Sequence, residues 1–91
     1  MLFAVSGHFK EGGADAASHI SFSAHIAQNV CRVHLGGPLY DAAGQHIGAL
    51  LLVEAKSFSE AEAYLHSSPY AQAGLYDHIT VSELRTEVGT I

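Results

Sequence analysis

The run Leu50-Leu51-Leu52-Val53 constrains this chain more than any other stretch. Successive side chains of a strand point to opposite faces, so four consecutive branched apolar residues put hydrocarbon on both. A strand of that kind sits centrally in a sheet covered on both sides. The flanks agree. His46 to Ala55 reads as one strand, entered from the turn Asp41-Ala-Ala-Gly-Gln45, where Asp41 bonds back to its own backbone and Gly44 takes a positive φ. The rest of the chain must supply neighbours for this strand and a layer over each face.

Those neighbours follow from local patterning. Leu2-Phe-Ala-Val5 is a short β-rich run ending at Ser6-Gly7, and His8 to Gly13 reads as a polar connection. Ala14 to Asn29 is helical in composition, with Ile20, Phe22, Ile26 and Val30 on its more apolar side; serines and two histidines weaken it, and a break is expected near Ser21. Val30 to Leu39 is a second strand punctuated by Gly36-Gly37-Pro38, in which His34 alternates with Val33 and Leu35 and so faces away from both. Ser57 caps a second helix, with Glu60 three residues on as in a capping box and Phe58, Ala61 and Leu65 at helical spacing. That helix stops before Pro69, because the residue preceding a proline avoids the α region. Tyr76 to Leu84 forms the last strand, and 85–91 is a tail.

The order is β-α-β-β-α-β, the ferredoxin-like α+β arrangement: a four-stranded antiparallel sheet with two helices on one face. Ninety-one residues make one domain, 1–91. A monomer of this size buries only roughly 60–65% of the surface its unfolded chain exposes. The bare face of the sheet therefore calls for a second copy, and a homodimer with packed sheets is expected.

Charge narrows the partners. The net charge is −5, and the four basic residues Lys10, Arg32, Lys56 and Arg85 are scattered singly, whereas a phosphate backbone needs a basic stripe. Nucleic acid is not expected. No apolar run approaches the roughly 20 residues of a membrane span, and the start Met-Leu-Phe-Ala-Val lacks a basic n-region. The single cysteine, Cys31, fits a reducing cytoplasm and a small buried apolar role.

Several segments in order carry a resemblance to a known family: Val-His-Leu-Gly-Gly-Pro-Leu (33–39), Gly44-Gln-His-Ile-Gly48, Leu51-Leu-Val-Glu-Ala55, Ser59-Glu-Ala61 and Pro69-Tyr70…Ala73-Gly-Leu-Tyr76. Together they resemble the YciI-like family over Met1 to Leu84. The resemblance implies a dimeric α/β barrel related to muconolactone isomerase. It also implies acid–base chemistry by a histidine near the first helix and the aspartate of an Asp-Pro-Tyr segment, without cofactor or metal. One branch of the family is similar to dehydrochlorinases of chlorinated hydroxyhydroquinones. Two histidines compete for the first role. Ala24-His25-Ile26-Ala27 matches the second half of the family's Arg-Pro-Ala-His-Leu-Ala motif, while His19 lies nearer the usual spacing from Gly37-Pro38. The aspartate position is occupied by Ser68.

A histidine suits proton transfer near neutrality, and this chain has seven. His25 and His19 are the candidate acid–base residues. Ser68 can donate and accept a hydrogen bond but carries no charge to stabilise an imidazolium, so Asp15 or Glu11 would have to replace the missing carboxylate. Ser68 is retained as a candidate beside its alternative reading as a cap for the turn before Pro69. His8 at the end of the first strand, Arg32, Pro38 and Tyr70 are expected to contact substrate. His46 reads as an exposed residue after a turn, and His66 as a helix-terminal charge. His19 and His25 are six apart, about 120° around a helix, which does not make a zinc pair, and no metal site is expected. No Gly-x-Ser-x-Gly elbow is present. The expected function is a cofactor-independent lyase or isomerase acting on a small cyclic or aromatic compound, in its sharpest form HCl elimination from a chlorinated hydroxyhydroquinone. The alternative is a non-catalytic dimeric binding module that has lost the His–Asp pair.

Overall fold

The computed structural model describes residues 1–20 and 31–90. Seven elements follow one another: β1 (Leu2–Phe9), α1 (Gly13–Ala17), β2 (Arg32–Tyr40), β3 (His46–Glu54), α2 (Phe58–His66), α3 (Pro69–Gln72) and β4 (Tyr76–Leu84). The strands form one antiparallel sheet in the order β2-β3-β1-β4, which is the expected ferredoxin-like topology.

Alternation sorts the sheet into two faces. Phe3, Val5, Leu51 and Val53 are buried and join Ala61, Tyr64 and Leu65 of α2 in one core. The opposite, open face presents Ala4, Leu50, Leu52 and Leu84 beside Leu35, which is 60% exposed. Leu50-Leu51-Leu52-Val53 thus lies centrally, as expected, with its odd members in the core and its even members on the open face. Ser57 caps α2 by accepting from the Glu60 amide at 3.2 Å. The Asp41 turn also forms as read: the carboxylate accepts from the amides of Ala43 and Gln45, each at 2.9 Å, and Gly44 takes φ 80°. At the other end of the sheet the Met1 amino group donates to Glu54 at 2.6 Å. That bond, then the charge it carries and the nearby His34, hold the Glu54 carboxyl below its ordinary range against the opposing effect of desolvation.

Three expectations change. The first strand does not end at Ser6-Gly7 but runs to Phe9, leaving only Lys10–Gly12 as connection, because β1 is bonded on both sides. Gly7 is accommodated there by the Tyr76 ring: a Cβ on Gly7 would lie 2.5 Å from that ring. Val33 and Leu35 do not share a face. The register steps from Val33 opposite Val53 to Leu35 opposite Leu52, so His34 is the extra residue of a β-bulge. Finally, Pro69 does not merely end a helix; it opens the short helix α3 as its first residue. The expected helix from Ala14 to Asn29 appears as α1 at its start, and its remainder lies outside the described residues.

Candidate functional site

Where β1 and β2 end and β3 and β4 begin, five rings meet. The turn Asp41–Gln45 folds β2 onto β3 and sets Tyr40 opposite His46. Their rings lie 5.4 Å apart. Phe9 meets His46 edge-on at 4.8 Å and stacks on Tyr76 at 5.7 Å with 12° between planes. Tyr70 packs against Phe9 at 5.4 Å, Tyr76 at 6.1 Å and His46 at 6.4 Å. Tyr70 owes its place to the turn before it. Ser68 caps α3 and Pro69 presets its first residue, which turns Tyr70 inward until only 1% of it is exposed. Gly74, at φ 70°, then reverses the chain so that the Leu75 amide returns to the Tyr70 carbonyl at 3.0 Å.

The chemistry of the cluster follows from its bonds. His46 Nε2 lies 2.9 Å from the Gly48 carbonyl. A carbonyl only accepts, so Nε2 carries the proton and Nδ1 of the neutral ring keeps its lone pair. Burial, reinforced by Tyr40, pushes the Tyr70 phenol up from its ordinary range; burial, then Tyr70 and Tyr64, pushes Tyr76 up further. Both stay protonated at neutral pH and can donate as well as accept. The arrangement combines flat apolar surfaces, neutral phenols and one oriented imidazole.

The residues expected from sequence scatter around this cluster. Tyr70 is in it. His25 lies outside the described residues. His19 is exposed in the turn after α1, its amide donating to Ala16 at 3.2 Å. Among the described residues no hydrogen bond or ion pair joins His19 to Asp15 or Glu11. Ser68 is fully buried; its hydroxyl donates to the Leu65 carbonyl at 2.7 Å and accepts from the Ala71 amide at 3.3 Å.

His8 does not face the cleft between helices and sheet. Alternation along β1 places it on the open face with Ser6, opposite His78, the two rings 6.5 Å apart. Arg32 is exposed at the start of β2, eight residues and about 26 Å of strand from Tyr40, so it does not meet Tyr70. Pro38, exposed on the edge strand β2, borders the open-face groove instead. Sequence reasoning missed His46, Tyr40, Phe9 and the Tyr76 contact. The hairpin closing at Asp41–Gln45 was a usable signal, because residues that flank such a turn end up opposite each other.

Among the described residues no three His, Cys, Asp or Glu side chains converge as a metal group, and no helix is long and apolar enough to cross a membrane. Topology and cluster define a ferredoxin-like α+β protein with a histidine- and tyrosine-lined site at one end of its sheet. The chain belongs to the YCII-related domain family, whose model matches residues 1–85. Among solved structures it is similar to 5-chloro-2-hydroxyhydroquinone dehydrochlorinase from Burkholderia phenoliruptrix AC1100, solved in complex with 2,5-dihydroxybenzoquinone. That match has a TM-score of 0.78 at 23% identity and covers 93% of this chain and 94% of the other. It establishes the shared fold. An uncharacterized NIPSNAP domain protein from Burkholderia xenovorans aligns over 99% of this chain and 100% of its own, at 13% identity and a TM-score of 0.47. No curated protein matches the chain.

Proposed function

We propose that this protein is a cofactor-independent lyase or isomerase that moves protons on a small cyclic or aromatic compound. The observation that carries the reading is the ring cluster of Phe9, Tyr40, His46, Tyr70 and Tyr76, with the His46 tautomer set by Gly48. Aromatic faces suit a flat substrate, and neutral phenols suit its oxygen atoms. Family membership and the fold shared with a dehydrochlorinase support the same reading.

In its most specific form the reaction is loss of HCl from a chlorinated hydroxyhydroquinone. A base takes a ring hydroxyl proton, and the freed electron pair flows into the ring as the carbon bearing chlorine is protonated. A second hydroxyl proton is then lost, and chloride leaves with its bonding pair, so the net products are a hydroxyquinone, a proton and chloride. His25 and His19 are the proposed acid–base residues, with His46 a third; Tyr70 and Tyr76 would hold substrate oxygens. Ser68 acts in this reading by holding Tyr70 in place. Incubating the protein with 5-chloro-2-hydroxyhydroquinone, while following quinone absorbance and free chloride, tests it. Turnover lost on His25→Ala, His19→Ala or His46→Ala supports the reading; turnover unchanged in all three refutes the histidine chemistry.

A second reading is favoured by Ser68. Its hydroxyl is committed in both directions to backbone, and the family's carboxylate is missing there. A binding module without turnover would bind 2,5-dihydroxybenzoquinone yet release no chloride in the same assay. Either reading includes a homodimer through the open face. Its groove, about 490 Å³ and lined by Ala4, Leu35, Leu50, Leu52 and Leu84, is almost wholly apolar, as a covered sheet face should be.

A further inference from the structure

His34 is the histidine for which neither the fold nor the proposed reaction has a use, and its surroundings are unusual. The bulge leaves it out of the β2–β3 ladder and turns its ring toward Glu54. The ring is 15% exposed, and Nε2 is buried with no hydrogen-bond partner. An orphaned buried nitrogen is costly and calls for a ligand. The nearest polar atom is Glu54 Oε1 at 3.6 Å, beyond the range of a hydrogen bond from a ring nitrogen. Both groups border a cleft of about 330 Å³ that Leu2, Thr86, Gly89 and Thr90 complete.

The gap has the size of a coordination edge. A zinc-like ion sits about 2.0–2.1 Å from an imidazole nitrogen and about 2.0–2.2 Å from a carboxylate oxygen. Two such bonds span the observed separation at an angle of about 120° at the ion, close to tetrahedral, without moving either side chain. We propose that His34 Nε2 and Glu54 Oε1 bind a divalent transition-metal ion of the zinc class at this end of the open face. The Thr86 and Thr90 hydroxyls and water take the remaining positions. Two strong protein ligands make the site a weak one. It competes with the Met1 amino group, which holds the other Glu54 oxygen. The site lies at the opposite end of the sheet from the ring cluster and does not depend on the proposed reaction.

The test is a titration of the protein, purified without a histidine tag, with zinc followed by calorimetry and with cobalt followed by visible absorption. One equivalent per chain, bound in the micromolar range, is expected. His34→Ala and Glu54→Gln should each weaken binding at least tenfold, while His8→Ala and His78→Ala, on the same face, leave it unchanged. Circular dichroism establishes that each variant is folded, and Glu54→Gln, at a half-exposed position, decides the matter if His34→Ala is not. Absence of saturable one-site binding, unchanged affinity in a folded His34 or Glu54 variant, or loss of binding with His8→Ala or His78→Ala overturns the proposal.

Discussion

Replacing Ser68 by alanine separates a structural serine from a reactive one. The side chain is fully buried and carries two bonds, from its hydroxyl to the Leu65 carbonyl and to it from the Ala71 amide. The Leu65 carbonyl still receives the residue 68 amide at 3.1 Å, so its loss is small. The Ala71 amide would be left as an orphan donor in the first turn of α3. Losing such a cap costs about 0.5–2 kcal/mol, and a buried unsatisfied donor about 1–3 kcal/mol. These are two descriptions of one broken bond, so the expected total is about 1–3 kcal/mol. For a domain of this length that lowers the melting temperature by roughly 5–20 °C. Urea unfolding and thermal melts followed by circular dichroism measure it. Ser68→Asp keeps an acceptor for Ala71 but cannot donate to Leu65 when ionised, so it should recover part of the cap while burying a charge. A Ser68→Ala protein within about 0.5 kcal/mol of the parent, yet devoid of turnover, would refute the reasoning. Ser68 would then belong to the chemistry and not to the turn that aims Tyr70.

Three further outcomes are expected. Gly48→Ala should cost about 3 kcal/mol or more, since its Cβ would sit against the Gly7 carbonyl oxygen of a central strand, which cannot swing away as a side chain can; a thermal melt within a few degrees of the parent contradicts this. Leu35→Asp, at a residue 60% exposed in the single chain, should leave folding within about 0.5 kcal/mol but convert a dimer to a monomer by light scattering, and a persisting dimer argues against the open-face interface. Alkaline pH should destabilise the fold. Burial, then the Cys31 charge, pushes Tyr64 up to about 12, so the unfolded chain loses that proton first. The stability is complete below about pH 10 and falls by about 1.4 kcal/mol per pH unit as pH rises toward 12. Urea midpoints that stay level from about pH 9 to 11 exclude this.

The fold was legible because its signals were local and mutually consistent. Leu50–Val53 demanded a central strand, Ser57 with Glu60 marked a helix start, and Asp41 with Gly44 marked a hairpin; each formed where its chemistry required. The reach of β1 was not legible, because Gly7 and His8 look like punctuation until both neighbouring strands and the Tyr76 ring are in place. The candidate site was legible at Tyr70 alone. His46 looked like a surface residue because sequence distance hides that Tyr40, Phe9 and Tyr70 come from three other segments and converge on it. His8 and Arg32 were misplaced for related reasons. Facing depends on strand parity, and distance along an extended strand grows quickly.

The bulge at His34 also governs how this chain can change in length. One residue there sets the parity of everything after it in β2. Remove it, and Leu35 would turn inward to the position now held by Gly36, where even a bare Cβ would come within 2.2 Å of Leu51 Cδ2. Gly36 would turn outward in its place and strip a leucine from the open face. A single-residue deletion at this point is therefore two lesions at once, a collision inside and a loss outside. Insertions and deletions in β2 should be accepted only in pairs that restore parity, or beyond Tyr40 in the hairpin loop, where sidedness is no longer being counted.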